Sequence, residues 1–122
     1  MLFGLIALTL VTALPPAALS HPAFFDAARL QALCVADGPD AASAHALCLG
    51  YVAGAVDQLL TRQARRGRST VCVPADLTPK AALQAVQRHA RFASTAHGVG
   101  AADFVRFAME QAYPCSGESS RR

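Results

Sequence analysis

Residues 43–66 read SAHALCLGYVAGAVDQLLTRQARR, and this stretch decides the fold. Its apolar residues Leu47, Cys48, Tyr51, Val52, Ala55, Val56, Leu59 and Leu60 recur at three- and four-residue steps. That is the period of an α-helix with a wide buried stripe. Ser43 suits the N-cap, where a hydroxyl accepts from the free amides of the first turn. Gly67 supplies a residue that tolerates the left-handed conformation at which helices end. So broad a stripe belongs to a central helix that touches neighbours on two sides.

On the N-terminal side, Pro22 stands where a first helical turn tolerates proline. Ala23, Ala27, Leu30 and Cys34 then follow at helical spacing, with Phe24 and Leu33 beside them. Asp37-Gly38-Pro39 excludes continued helix. On the C-terminal side, Arg68–Asp76 has no helical period, and Thr70–Val73 reads as a short extended segment closed by Pro74. Thr78-Pro79 opens a third helix, with Leu83, Val86, Ala90 and Ala93 on one face. Ser94–Gly100 is a loop of small residues and two glycines. A last helix places Phe104, Val105, Ala108, Met109 and Ala112 inward, and Pro114 stops it. The expectation is an all-α fold: a small bundle of about four helices over residues 21–115, with residues 116–122 a disordered polar tail.

Residues 1–20 carry no charged side chain, whereas all eleven Lys and Arg and all eight Asp and Glu lie beyond them. The apolar run is too short to cross a bilayer, which takes about 20 residues. With the Pro-Pro break and the small residues Ala18 and Ser20 before His21, it has the layout of a secretory signal peptide. A buried N-terminal helix and a retained anchor are the alternatives, since no Lys or Arg precedes the apolar core. The net charge of +3 is mild, and no long basic stripe follows one element. Neither nucleic acid nor, once the leader is cleaved, a membrane is therefore an expected partner.

The four cysteines, Cys34, Cys48, Cys72 and Cys115, are an even count in a small exported chain, which reads as two disulfides. A zinc site is disfavoured, because the gaps are long and irregular and no histidine stands at ligand spacing. Cys34 ends the first helix and Cys48 lies about a turn and a half into the second. An antiparallel hairpin brings such positions together, so the expected pairs are Cys34–Cys48 and Cys72–Cys115.

Catalytic patterns are lacking. His21, His45, His89 and His97 are dispersed, the carboxylates are single, and there is no G-x-S-x-G. No cofactor is implied, and a binding role is favoured over an enzymatic one. An enzyme would need a cleft setting His89 or His97 against an acid. Two features stand above this background. Ala46, Gly50, Ala53, Gly54 and Asp57 form a narrow stripe of mostly small residues on the central helix. Two glycines inside a helix cost about 1 kcal/mol each relative to alanine, so a close helix contact, within the chain or in a homodimer, should offset them. Arg62, Arg65, Arg66 and Arg68 cluster where that helix ends. They either complement the negative end of the helix dipole or form a docking patch for an acidic partner.

Cys48-Leu49-Gly50-Tyr51-Val52-Ala53-Gly54-Ala55-Val56-Asp57, then Val71-Cys72-Val73-Pro74, then Ala112-Tyr113-Pro114-Cys115, resemble in order the signature of the Rap/Tai family of immunity proteins. Gly50, Tyr51, Gly54, Asp57 and all four cysteines match that pattern. The chain departs from it before the last helix, where Ala93-Ser94 replaces a His-Pro turn. The resemblance implies a periplasmic, all-helical and often dimeric protein. It would bind and inhibit a cell-wall amidase effector delivered by type VI secretion, occluding its cleft. On that reading Gly50, Tyr51, Gly54 and Asp57 form the helix contact or dimer surface. Three loops are candidates for entering the cleft, Val35–Ala42, Arg68–Asp76 and Ser94–Gly100; the last, with Ser94, Thr95 and His97, is favoured, and Arg65 and Arg66 steer the approach. The alternative is a housekeeping periplasmic protein-binding or chaperone-like module without a toxin partner.

Overall fold

The computed structural model describes residues 23–93 and 98–116. The expected signal peptide, Ser94, Thr95 and His97, and most of the expected tail lie outside the described residues. Four helices are present: α1 (Ala27–Cys34), α2 (Ala41–Arg66), α3 (Pro79–Phe92) and α4 (Ala101–Ala112). Every pair of them is in contact, so the fold is an all-α bundle packed around one core.

Cap chemistry sets most boundaries. At α3, the Thr78 hydroxyl accepts from the Ala81 amide at 3.1 Å and Pro79 occupies the first turn, as the spacing predicts. At α2, Gly67 takes φ 63° and its amide reaches the Gln63 carbonyl at 3.0 Å, closing the helix at the expected residue. The start of α2 differs from expectation, with Asp40 at the cap position and helix from Ala41, so Ser43 is already inside the first turn.

Helix α1 also begins later than the spacing predicts. Residues 23–25 are not helical, and Asp26 is the N-cap, its Oδ1 accepting from the Arg29 amide at 2.7 Å. The reason is a competing tertiary pairing. The Ala27 amide donates to the Val99 carbonyl at 2.8 Å, and the Ala101 amide donates to the Phe25 carbonyl at 3.0 Å. The segments leading into α1 and α4 thus run antiparallel at Asp26 and Gly100, tying two helix N-termini side by side. Backbone groups used this way cannot extend α1 backwards, and Phe24 is left fully exposed.

The core takes Ala27, Leu30 and Cys34 from α1, Cys48, Val52 and Val56 from α2, and Val71 from the connector. The remainder comes from Val86 and three alanines of α3 and from Phe104, Val105, Ala108 and Met109 with Ala101 of α4. Alanines at the α3 and α4 contacts let the helices approach closely. Among the described residues no polar or charged residue is buried in this core. Two half-buried glutamines bridge elements through backbone carbonyls: Gln31 Nε2 donates to Ala90 and Ala93, and Gln87 Nε2 to Cys34.

Both disulfides have the expected partners. Cys34–Cys48 closes the α1–α2 hairpin with Cα atoms 5.2 Å apart, and Cys72–Cys115 ties the α2–α3 connector to the end of α4 at 4.9 Å. Beside the second bridge the Cys72 amide donates to the Tyr113 carbonyl at 2.9 Å, and Val71 pairs with Pro114. The extended Thr70–Val73 segment is therefore a single antiparallel bridge.

The glycine stripe corrects one expectation. Gly50 and Gly54 are exposed, and a Cβ built on either would meet no atom within 4 Å. By helical spacing they point away from Cys48, Val52 and Val56, so no element among the described residues makes the close approach that the intrachain reading required. Leu47 is likewise on the outside, 59% exposed, rather than in the wide buried stripe.

Candidate partner-binding surfaces

The residues singled out by sequence are not brought to one place. Tyr51 is half-buried and packs on the Phe25 ring, centroids 5.4 Å apart, linking α2 to the segment before α1. Burial raises its phenol pKa above the usual value, with Asp103 adding to the rise and a backbone hydrogen bond at Ala102 opposing it. Asp57 is exposed and borders a hollow of about 300 Å³ whose apolar wall includes Val73, Pro74 and Leu77. Gly50 and Gly54 lie on the bare face of α2. The four residues therefore serve different surroundings, and the described residues show a packed ring contact at Tyr51.

Of the loop after α3, Gly98, Val99 and Gly100 are described. Gly98 has φ 84°, a left-handed conformation that favours glycine. Val99 packs on the core and its carbonyl holds the Ala27 amide. The C-terminal stem of this loop is consequently fixed to α1.

The histidines do not form a catalytic cleft among the described residues. The His45 ring is 2.9 Å from the Ala36 carbonyl, where it fastens the α1–α2 turn. The His89 ring packs against Phe104 in a tilted arrangement, centroids 5.0 Å apart, and the hollow it borders is lined by Arg88 and Gln111 but no carboxylate among the described residues. No group of three or more His, Cys, Asp or Glu among the described residues could hold a metal ion.

The arginines do converge. A groove of about 440 Å³ between the end of α2, the connector and α4 is lined by Arg62, Arg66, Arg68 and Arg106, with Glu110 at one wall. Arg65, on the neighbouring face, is exposed and outside it. Arg106 is held by Asp103 at 3.3 Å and Glu110 at 2.9 Å, and the Glu110 hydrogen bond keeps its pKa above the ordinary arginine value. Gln63 folds the connector onto α2: its Oε1 accepts from the Thr70 and Val71 amides at 2.9 and 3.0 Å, and its Nε2 donates to the Val71 carbonyl at 3.0 Å. That fold-back is what brings Arg68 alongside Arg62 and Arg66. Sequence reasoning found the cluster at the helix end but missed Arg106, which is distant in sequence and carries no local signal.

The two disulfides fit a protein exported to an oxidising compartment. No helix among the described residues is long and apolar enough to cross a membrane. Comparison with curated proteins and with solved structures gives no match. The family described as Rap1a immunity proteins, however, matches residues 26–115, a span that takes in all four helices and both disulfides. By that match the chain belongs to the Rap1a immunity proteins.

Proposed function

We propose that this protein is a periplasmic, non-catalytic inhibitor that protects its cell from a peptidoglycan amidase delivered by type VI secretion. The family match over residues 26–115 carries the reading. Disulfide bracing supports it, since a rigid scaffold loses little conformational entropy on binding. Occlusion of the amidase cleft is assigned to the loop Ser94–Gly100. The Val99 carbonyl, which holds the Ala27 amide, supports this choice, because a segment anchored at one end loses less conformational entropy on binding. Arg65 and Arg66 at the end of α2 draw an acidic partner surface toward the molecule.

The test uses the secreted chain and a type VI peptidoglycan amidase, taken from a neighbouring gene where one is found. The parent should suppress peptidoglycan hydrolysis at equimolar ratio. Replacing Thr95, Ala96 and His97 together by glycine should speed dissociation by about tenfold or more, equivalent to about 1.4 kcal/mol of binding energy. Charge reversal at Arg65 and Arg66 should chiefly slow association and flatten its dependence on salt. Undiminished inhibition by the loop variant would remove the occlusion assignment, and failure of the parent to inhibit would remove the amidase. A chaperone-like role without a toxin would then be the reading to pursue.

A further inference from the structure

The groove between α2, the connector and α4 has a character that steering alone does not require. Its four arginines face one glutamate, a local excess of three positive charges, equal to the net charge of +3 of the entire chain. Among the described residues, Arg62, Arg66 and Arg68 form no salt bridge; Arg106 alone is paired, on Asp103 and Glu110. Simple service to the helix dipole would leave such side chains splayed around the helix end. Here a second element brings Arg68 beside them, and that element is fixed by three Gln63 hydrogen bonds, the Val71–Pro114 pairing and the Cys72–Cys115 bridge. The cations are therefore mounted on a rigid, preorganised frame.

The groove is also not uniformly basic. Leu59, Arg62 and Arg106 continue from it into an adjoining hollow of about 320 Å³, where Tyr51, Ala55 and Ala102 form an apolar wall and Asp103, paired with Arg106, brings the acids of the combined site to two against four arginines. A run of phosphates or sulfates would gain nothing from that wall. A polypeptide segment with carboxylates flanking a large apolar side chain uses both parts. Carboxylates would take the guanidinium groups in charge-assisted hydrogen bonds, and the apolar residue would fill the Tyr51–Leu59 hollow.

We infer that the groove of Arg62, Arg66, Arg68 and Arg106, with the adjoining hollow at Tyr51 and Leu59, is a docking site for an acidic protein segment carrying an apolar anchor. This deepens the proposed function and rests on its premise that the partner is a protein. It places a second contact on the effector, separate from its cleft.

The probe is a short fluorescein-labelled peptide of alternating Glu and Leu, titrated against the disulfide-bonded protein by fluorescence anisotropy. Binding should weaken by about tenfold or more when Gln replaces Glu in the peptide. It should weaken similarly in R62Q/R66Q/R68Q, and change less than about twofold in R88Q/R91Q, whose arginines lie on α3 outside the groove. An all-Glu peptide should bind more weakly than the Glu/Leu one. Equal loss in both arginine variants, or an all-Glu peptide as good as the mixed one, would reduce the site to diffuse charge attraction and overturn the inference. Should the triple variant misfold by circular dichroism, the Nε–Hε resonances of Arg62, Arg66 and Arg68 in the parent decide the matter: they shift with the peptide, or the inference fails. Peptide binding by a parent that inhibits no amidase would refute the effector assignment and leave the groove standing. Full inhibition with unaltered kinetics by the triple variant would instead exclude the groove from the effector interface.

Discussion

The two sides of α2 obey opposite rules. On one side, Cys48 is bonded to Cys34, Val52 and Val56 are buried, and Gln63 is bound through both ends of its amide. Each side chain there is answered by a neighbour in the same chain. On the other side Leu47 is exposed and Gly50 and Gly54 face open space. A helix does not need glycine for solvation, and an exposed alanine would be more favourable at either position by about 1 kcal/mol. The first side is explained by folding alone. The second is not, and a surface whose composition folding leaves unexplained is where a binding role should be sought.

The largest expected effects come from cutting the two disulfides, one of which is the covalent point of the answered side. Replacing Cys34 and Cys48 by alanine frees a loop of 14 residues and should remove about 3 kcal/mol of stability in the chain-entropy picture. The 43-residue loop closed by Cys72–Cys115 sets the upper reference at about 4 kcal/mol. Urea denaturation of the two double variants measures both. Against a domain stability of about 5–15 kcal/mol, either loss is severe. A Cys34/Cys48 variant as stable as the parent would show that packing around Val52 already suffices.

A smaller loss is expected at Gln63. Its amide is half-buried and satisfies two amides and one carbonyl of the connector, which no side chain of alanine can do. Gln63→Ala should cost about 1–3 kcal/mol in denaturant unfolding, with the exposed part of the connector recovering some of it through water. Amide hydrogen exchange adds a sharper reading. Protection at Thr70 and Val71 should fall while protection in the middle of α3 changes little. Equal loss throughout would mean that the connector unfolds only with the whole domain.

What was legible in the sequence follows the same division. The helices, the cap at Thr78, the stop at Gly67 and the Cys34–Cys48 pair depend on short-range chemistry or on the hairpin that joins successive helices, and Cys72–Cys115 follows as the remaining pair. The starts of α1 and α2 were misplaced by local reasoning. At α1 the Phe25 and Ala27 backbone groups pair with residues 99–101, a partner with no trace in the local period. At α2 Asp40 sits at the cap position without a side-chain cap bond, so the usual cap preference carried little information. The arginine groove was half legible: Arg62, Arg66 and Arg68 are near in sequence, but Arg106 joins them only through packing of α4 on α2. The family signature was read from ordered cysteines, glycines and prolines, and the match over residues 26–115 agrees with it.

The smallest effect on folding, and the most informative about the unanswered side, is expected from Gly54→Leu. An intrachain close approach would have made this substitution overpack the helix contact. The open space around a Cβ at Gly54 reverses that expectation. With nothing to strike, leucine replaces a poor helix former by a good one, and the isolated protein should gain about 0.5–1 kcal/mol. For a domain of this size that appears as a rise of several degrees in Tm, measured at low protein concentration. The homodimer implied by the family resemblance makes a second, opposite demand. Gly50 and Gly54 would let the α2 helices of two copies approach closely, and a leucine at their contact would hold them apart. Sedimentation should then show a dimeric parent and a monomeric, more heat-resistant variant. A parent that stays monomeric at high concentration would remove dimerisation as the reason for the glycines. A less stable monomer would instead require a neighbour for this face of α2 that is not found among the described residues.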